Sequence, residues 1–374
     1  MKIKLNGITR IIALASSYSV IVSIANAQYV GSVLAPVGYG NTFGYGPSGS
    51  SQVGYGAHTG SGGDDHALLW NSSSTNFVDL NPTGFTHTFA YGGTNGVQVG
   101  SGTGSATGSN THALKWTGTA ASYVDLNPTG FGFSVAVAAS SNSQVGYGDN
   151  GDDGLHALLW NGTAASAVDL WSNTFLSTLA TAVTDTNQYG YGTVASGLFD
   201  HAIMWSGSAA SIVDMNPSGF DHSYITGASG SNQMGYAVMS TGDTHAGMWS
   251  NSSSSFLDLN PSGFLYSIGN GVSAAGQVGY GAGSSTNMVD HALYWNGTSG
   301  SAIDLHGALS GLSQNFQSSY ATGIDADGNI VGYGYGSNGR GYALRWSQPV
   351  PEPASLAILG LGLFGLARRK KLRK

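Results

Sequence analysis

Cysteine is absent from the 374-residue chain, which excludes disulfides and all thiolate chemistry, nucleophilic or metal-binding. Charge is scarce as well. Asp, Glu, Lys and Arg make up 8% of residues, against roughly a quarter in ordinary soluble proteins. Between residues 28 and 349 the only basic residues are Lys115, Arg340 and Arg345, set against 18 aspartates, a net of −15. A field of that sign repels phosphate backbones and excludes nucleic acid as a partner; cations and neutral polymers suit it better. The single glutamate is Glu352. Glycoside hydrolysis needs two carboxyl groups in unlike surroundings, and the sequence singles out no such pair. G-x-S-x-G, H-E-x-x-H and phosphate-loop motifs are missing too.

Long apolar runs occur only near the two ends. Lys2, Lys4 and Arg10 precede the run Ile11 to Ile24, which leads to Ala25-Asn26-Ala27. That is the layout of a secretory signal peptide over residues 1–27, with an A-x-A site that predicts cleavage between Ala27 and Gln28; an uncleaved anchor is the alternative. At the other end Val350-Pro351-Glu352-Pro353 leads into a 14-residue apolar run and six basic residues. As a helix the run reaches about 21 Å, short of the roughly 30 Å of bilayer hydrocarbon. It predicts a transient membrane anchor whose basic end stays cytoplasmic.

Residues 349–374 resemble the PEP-CTERM sorting signal, the tag of exosortase substrates. The resemblance implies the export machinery and an exosortase as partners. It also implies a Gram-negative envelope, transient anchoring in the inner membrane, and delivery to the cell surface or an exopolysaccharide matrix. A proline-rich linker before an ordinary anchor is the alternative.

Glycine is abundant, at 59 residues, and much of it lies in a repeat. A His-to-Trp element recurs at His66–Trp70, His112–Trp116, His156–Trp160, His201–Trp205, His245–Trp249 and His291–Trp295; a further copy, Tyr342–Trp346, has lost the His. Ahead of each stands a Gly-rich strand such as "QVGYG" at Gln52. After each of the first six comes a strand ending in Asp: Asp79, Asp125, Asp169, Asp214, Asp258 and Asp304. Asn161-Gly162 and Asn296-Gly297 read as tight hairpin turns between these strands. Asn-Pro-Thr/Ser-Gly-Phe follows four of the aspartates and reads as a type I turn with Asn first.

The last repeat lacks its Asp-ended strand, and the mature N-terminus supplies a match. "VLAPVGYGNTFGY" from Val33 aligns with "DLNPTGFTHTFAY" from Asp79, Leu34 on Leu80 and Pro36 on Pro82. A chain that begins out of phase with its repeats fits a closed ring. The sequence therefore predicts an all-β fold over residues 28–348. It is a seven-bladed β-propeller of four-stranded antiparallel blades, each about 45 residues, closed by the N-terminal strand. A β-solenoid is the alternative. The Gly-rich strand is expected in the crowded inner part of the ring. The repeats resemble the HAF family of extracellular repeats, the His-Ala-Phe motif standing here as His-Ala-Leu or His-Ala-Ile. That resemblance implies export and a structural fold, and carries no assigned activity.

The repeated His reads as scaffold, bonded to the Asp of the third strand, since a buried imidazole and carboxylate must find partners; a row of metal or catalytic sites is the alternative. Tryptophan–aspartate propellers offer an analogous His/Asp device. Acidic pairs and singles before the His (Asp64-Asp65, Asp152-Asp153, Asp200, Asp243, Asp290) are Ca²⁺ candidates, as are Asp325 and Asp327 of "DADGN"; solvated loops and an Asp-Gly turn are the plainer readings. No cofactor is otherwise expected. Off the repeat stand His58, His87, His222, His306, Trp171 and Arg340; Trp171 is a candidate stacking platform for sugars, with ordinary packing the plainer reading. Together these features point to an exported, non-enzymatic structural or adhesion protein. The rival is a carbohydrate-binding module or polysaccharide-acting enzyme using the propeller face.

Overall fold

The computed structural model describes residues 29–348 apart from 95, 152, 153 and 197. The signal segment with Ala25, Ala27 and Gln28, the sorting residues Val350, Pro351, Glu352 and Pro353, and Asp152-Asp153 lie outside the described residues. Among those described, no helix is long and apolar enough to cross a membrane.

Seven four-stranded sheets, every pairing antiparallel, form a seven-bladed β-propeller. Blade 1 runs outward through Tyr39–Ser48, Ser51–His58, Asp64–Ser73 and Asn76–Asp79, and blades 2 to 6 repeat that order. In blade 7 the strands Phe316–Ile324, Ile330–Gly336 and Gly341–Ser347 are completed on the outside by Val30–Val33. Val30 pairs with Ser347 and Val33 with Leu344. The Leu34 N–H then donates to the Ala343 carbonyl at 2.8 Å, as that of Leu80 donates to Ala67 at 2.9 Å. The N-terminal strand thus closes the ring, and antiparallel pairing rules out the solenoid.

The Gly-rich strand is second from the axis; the innermost strand is the one that follows each Asn-Pro turn. The glycine has a specific cause. A Cβ on Gly54, Gly100, Gly146, Gly190, Gly235, Gly279 or Gly332 would stand 1.8–1.9 Å from a carbonyl oxygen of the innermost strand. Each innermost strand also carries a β-bulge, as between Gly44 and Gly46 or Ala180 and Ala182. A bulge twists the strand and re-aims one side chain; here that residue is Tyr45, Tyr91, Val137, Thr181, Thr226, Asn270 or Thr322, and all seven face the axis.

The two turn expectations need correction. In Asn81-Pro82-Thr83-Gly84-Phe85 the turn is closed by the Phe85 N–H on the Pro82 carbonyl, 3.2 Å. Pro is therefore first and Gly third, with φ +94°, the left-handed position that a type II turn reserves for glycine. Asn161-Gly162 and Asn296-Gly297 do not make tight hairpins. Each opens a longer link containing a 3₁₀ turn, Ala164–Ser166 or Ser299–Ser301. The Gly162 N–H is taken by the buried Gln144 side chain at 2.8 Å and the Asn161 N–H by Ser166 Oγ at 2.8 Å. The outer strands that result are two residues long in blades 2 to 6, which leaves little open edge for another chain to pair with.

All seven repeat tryptophans are fully buried. Trp205, Trp249 and Trp346 donate across to Leu170, Met215 and Leu305 of the preceding blade, each at 3.0 Å. In these three the Trp both fills and bridges the gap between blades; the indole N–H groups of Trp70, Trp116, Trp160 and Trp295 are buried without a partner among the described residues, so those four act by filling alone.

Candidate functional site

Two regions concentrate polar side chains: a set of His–Asp pairs, each joining the two outer strands of one blade, and a cavity on the ring axis. In six blades the His Nδ1 lies 2.7 Å from an Asp Oδ2, joining His66–Asp79, His112–Asp125, His156–Asp169, His201–Asp214, His245–Asp258 and His291–Asp304. The other carboxylate oxygen accepts the N–H two residues on, 2.8 Å in every case. The N–H of the residue after each His donates to a Ser or Thr hydroxyl on the next blade's innermost strand, as from Ala67 to Thr88 at 2.9 Å and Ala157 to Thr178 at 3.0 Å. In four blades that hydroxyl donates onward to the turn Asn, as Ser134 does to Asn127 at 2.6 Å. The result is a clasp of His, Asp, turn and next blade. Blade 7 loses both members together: Tyr342 stands for His and Val33 for Asp, while Ala343 keeps its bond to Thr42 at 3.0 Å across the seam.

The off-repeat residues belong largely to the same construction. His58 stacks on His66 with centroids 4.7 Å apart, and His306 on His291 at 4.1 Å. Burial, and then the neighbouring His291, hold the His306 imidazole below its usual range. Trp171 lies flat on His156, 4.7 Å away and 3° from parallel, and its indole N–H donates to the Phe175 carbonyl at 3.1 Å. It replaces the turn Asn, whose side chain makes the equivalent bond in blade 2 (Asn127 to Phe131, 2.7 Å). One face of the indole is thus covered by His156, in keeping with the packing reading. Arg340 donates to the carbonyls of Gly40 and Tyr39 at 2.8 and 2.7 Å, fastening blade 7 to blade 1. His87 and His222 accept the N–H of Asp65 and Asp200 from the preceding blade.

Several of the acidic residues before the His are also engaged. Asp200 accepts from Tyr224 at 2.9 Å and Thr193 at 2.7 Å; Asp290 accepts from Tyr320 at 2.8 Å and from Tyr266. Asp325 is buried, and its carboxylate accepts the N–H groups of Asp327 and Asn329 and the Asn329 side chain, all within 2.9 Å. That fixes the Asp-Gly turn from within. Among the described residues, no group of three or more His, Asp or Glu is arranged to hold a metal ion.

The axial cavity, about 680 Å³, is walled by residues from all seven blades. Tyr45, Tyr91, Tyr147, Tyr191, Tyr280, Tyr320 and Tyr333 line it together with Gly, Ala, Val and Thr residues and single Leu, Ile, Asn and Pro residues, and no lining side chain is charged. Burial raises the tyrosine pKa values, to about 12 at Tyr91 and Tyr320, so the phenols stay neutral donors near pH 7. Sequence reasoning missed these residues. A partial signal was the Tyr of the Gly-rich strands, present in six and replaced by Ser101 in blade 2; four of the six, Tyr147, Tyr191, Tyr280 and Tyr333, line the cavity, and Tyr55 and Tyr236 are not among its lining residues.

No curated protein matches the chain in sequence. Among solved structures, puromycin hydrolase superposes with a TM-score of 0.53 at 10% identity, over 83% of this chain and 52% of that one. The chain therefore spans about half the length of puromycin hydrolase, and the likeness is one of fold. The β-propeller domain of the Trilobed protease from Pyrococcus furiosus gives a TM-score of 0.49 at 7% identity, over 82% of this chain and 96% of that domain. Residues 349–374 match the PEP-CTERM protein-sorting motif, the mark of an exported chain processed by an exosortase.

Proposed function

We propose that the protein is a non-enzymatic propeller of the cell surface or exopolysaccharide matrix, structural and adhesive in role, released from the inner membrane by an exosortase. The observation that carries this reading is the sorting motif beginning at residue 349, directly beyond the last strand, Gly341–Ser347. Cleavage there leaves every blade whole. The resemblance of the repeats to HAF proteins agrees with an exported structural role. The His–Asp pairs support it as well. Their imidazoles and carboxylates are held by each other and by backbone groups in six near-identical copies, whereas a catalytic centre needs groups in unlike surroundings.

Fractionation of producing cells tests the reading. The wild-type chain is expected in the surface or matrix fraction, shortened at its C-terminus. The triple variant Pro351→Ala, Glu352→Ala, Pro353→Ala is expected to remain full-length at its C-terminus in the inner-membrane fraction. Identical fractionation and mass for both would overturn it.

A further inference from the structure

The axial cavity combines two kinds of surface. Aromatic rings crowd one side, from blades 7, 1 and 2: Tyr45 stacks on Tyr55 at 5.7 Å and meets Tyr91 edge-on at 5.6 Å, and Tyr320 stacks on Tyr333 at 4.9 Å. The second feature is a set of unengaged donors. Among the described residues, the hydroxyls of Tyr147, Tyr191, Tyr280 and Tyr333 have no hydrogen-bond partner. Their neighbours in the wall are already bonded to the adjacent blade: Thr226 to the Gly269 carbonyl at 2.8 Å, Asn270 to Ala321 at 2.8 Å. None of the four hydroxyls is sealed from solvent, so each is open to water that a ligand's own hydroxyl can replace.

We propose that this cavity binds a neutral saccharide chain, whose ring faces stack on Tyr45 and Tyr91 and whose hydroxyls pair with Tyr147, Tyr191, Tyr280 and Tyr333. Three properties of the wall select that chemistry. The absence of charge leaves an ionic ligand without a counter-ion once it is desolvated. The open phenols demand a ligand rich in hydroxyls, and a lipid would leave them unpaired. The aromatic faces demand flat apolar patches, which the C–H faces of a sugar ring supply. A volume of about 680 Å³ lies within the range of ligand sites, roughly 300–1,000 Å³. The proposal names a ligand for the adhesive role above, and rests on that reading only for its biological setting.

The test is an array of neutral and uronic-acid oligosaccharides probed with the purified full-length chain, followed by titration of the best neutral binder. The wild type is expected to bind at least one neutral oligosaccharide, and its uronic-acid counterpart at least tenfold more weakly. Tyr147→Phe with Tyr280→Phe removes two hydroxyls and no ring, and is expected to weaken binding about tenfold, at around 0.5–1.5 kcal/mol per hydrogen bond, with an unchanged melting temperature. Tyr45→Leu is expected to weaken it severalfold. The proposal is overturned by an array without neutral binders, by equal affinity for the uronic-acid series, by capture of decanol in place of sugars, or by unaltered affinity in the double Phe variant. Binding without surface delivery would sink the localisation reading instead, so the two failures are distinguishable.

Discussion

Deleting Tyr29 to Ala35 is expected to lower the melting temperature by about 10–20 °C, because it unfastens the ring. Leu34 is fully buried against Leu68, Trp70 and Ala343. Tyr29 is 6% exposed and packs in the cluster around Trp346 and Leu344. Two such side chains stabilise by about 1.5–3 kcal/mol each, and the bare edge of Gly341–Ser347 adds to the loss, for about 5 kcal/mol in all. At roughly 2–4 °C per kcal/mol for a domain of 150–250 residues, that gives the stated shift. Thermal unfolding followed by circular dichroism checks it. An unchanged midpoint would mean that the strand is ornamental.

Gly190→Ala carries the second large effect. The added methyl would sit 1.9 Å from the Leu179 carbonyl oxygen and 2.9 Å from its carbon, and neither is a flexible side chain that could swing away. The two inner strands of blade 4 must separate. Overpacking of this kind costs about 1–3 kcal/mol where side chains can adjust; against rigid backbone we expect the upper end or beyond, about 3 kcal/mol or more. Gly300→Ala is the matched control, since nothing lies within 4 Å of its Cβ position. Equal denaturation midpoints for the two variants would contradict the close-packing account of the Gly-rich strand.

The period and the closure were legible because both are written in residue identity. The His-to-Trp element marks one strand per blade, and the match of Val33–Phe43 to Asp79–Phe89 places the first strand outside the last. Turn geometry was less legible. Asn81-Pro82 is compatible with Asn at the first turn position, and only the positive φ of Gly84 moves the turn along by one residue. Asn161-Gly162 carries a hairpin signature, yet Gln144 reaches in to take the glycine N–H and the link lengthens. For Trp171 packing was the plainer reading, but its partner, His156, is local only in three dimensions and was not legible.

The cavity was hidden for another reason. Its tyrosines come from the innermost strand in blades 1, 2 and 7 and from the second strand in blades 3, 4, 6 and 7. No single column of the repeat marks them. The innermost position also depends on a bulge, which re-aims one residue per strand and has no signature in the sequence.

The chain's lack of cysteine permits a direct test of the closed ring. Val30 and Ser347 are register partners in the antiparallel seam, where Cα atoms stand about 4.5–5.5 Å apart, within the roughly 4.4–6.8 Å that a disulfide spans. In a variant carrying Val30→Cys and Ser347→Cys, mild oxidation is predicted to link the two residues within one chain. The link would be seen as faster migration on a non-reducing denaturing gel and as a cross-linked peptide pair by mass spectrometry. Free thiols after oxidation, or links formed only between chains, would contradict the closed propeller.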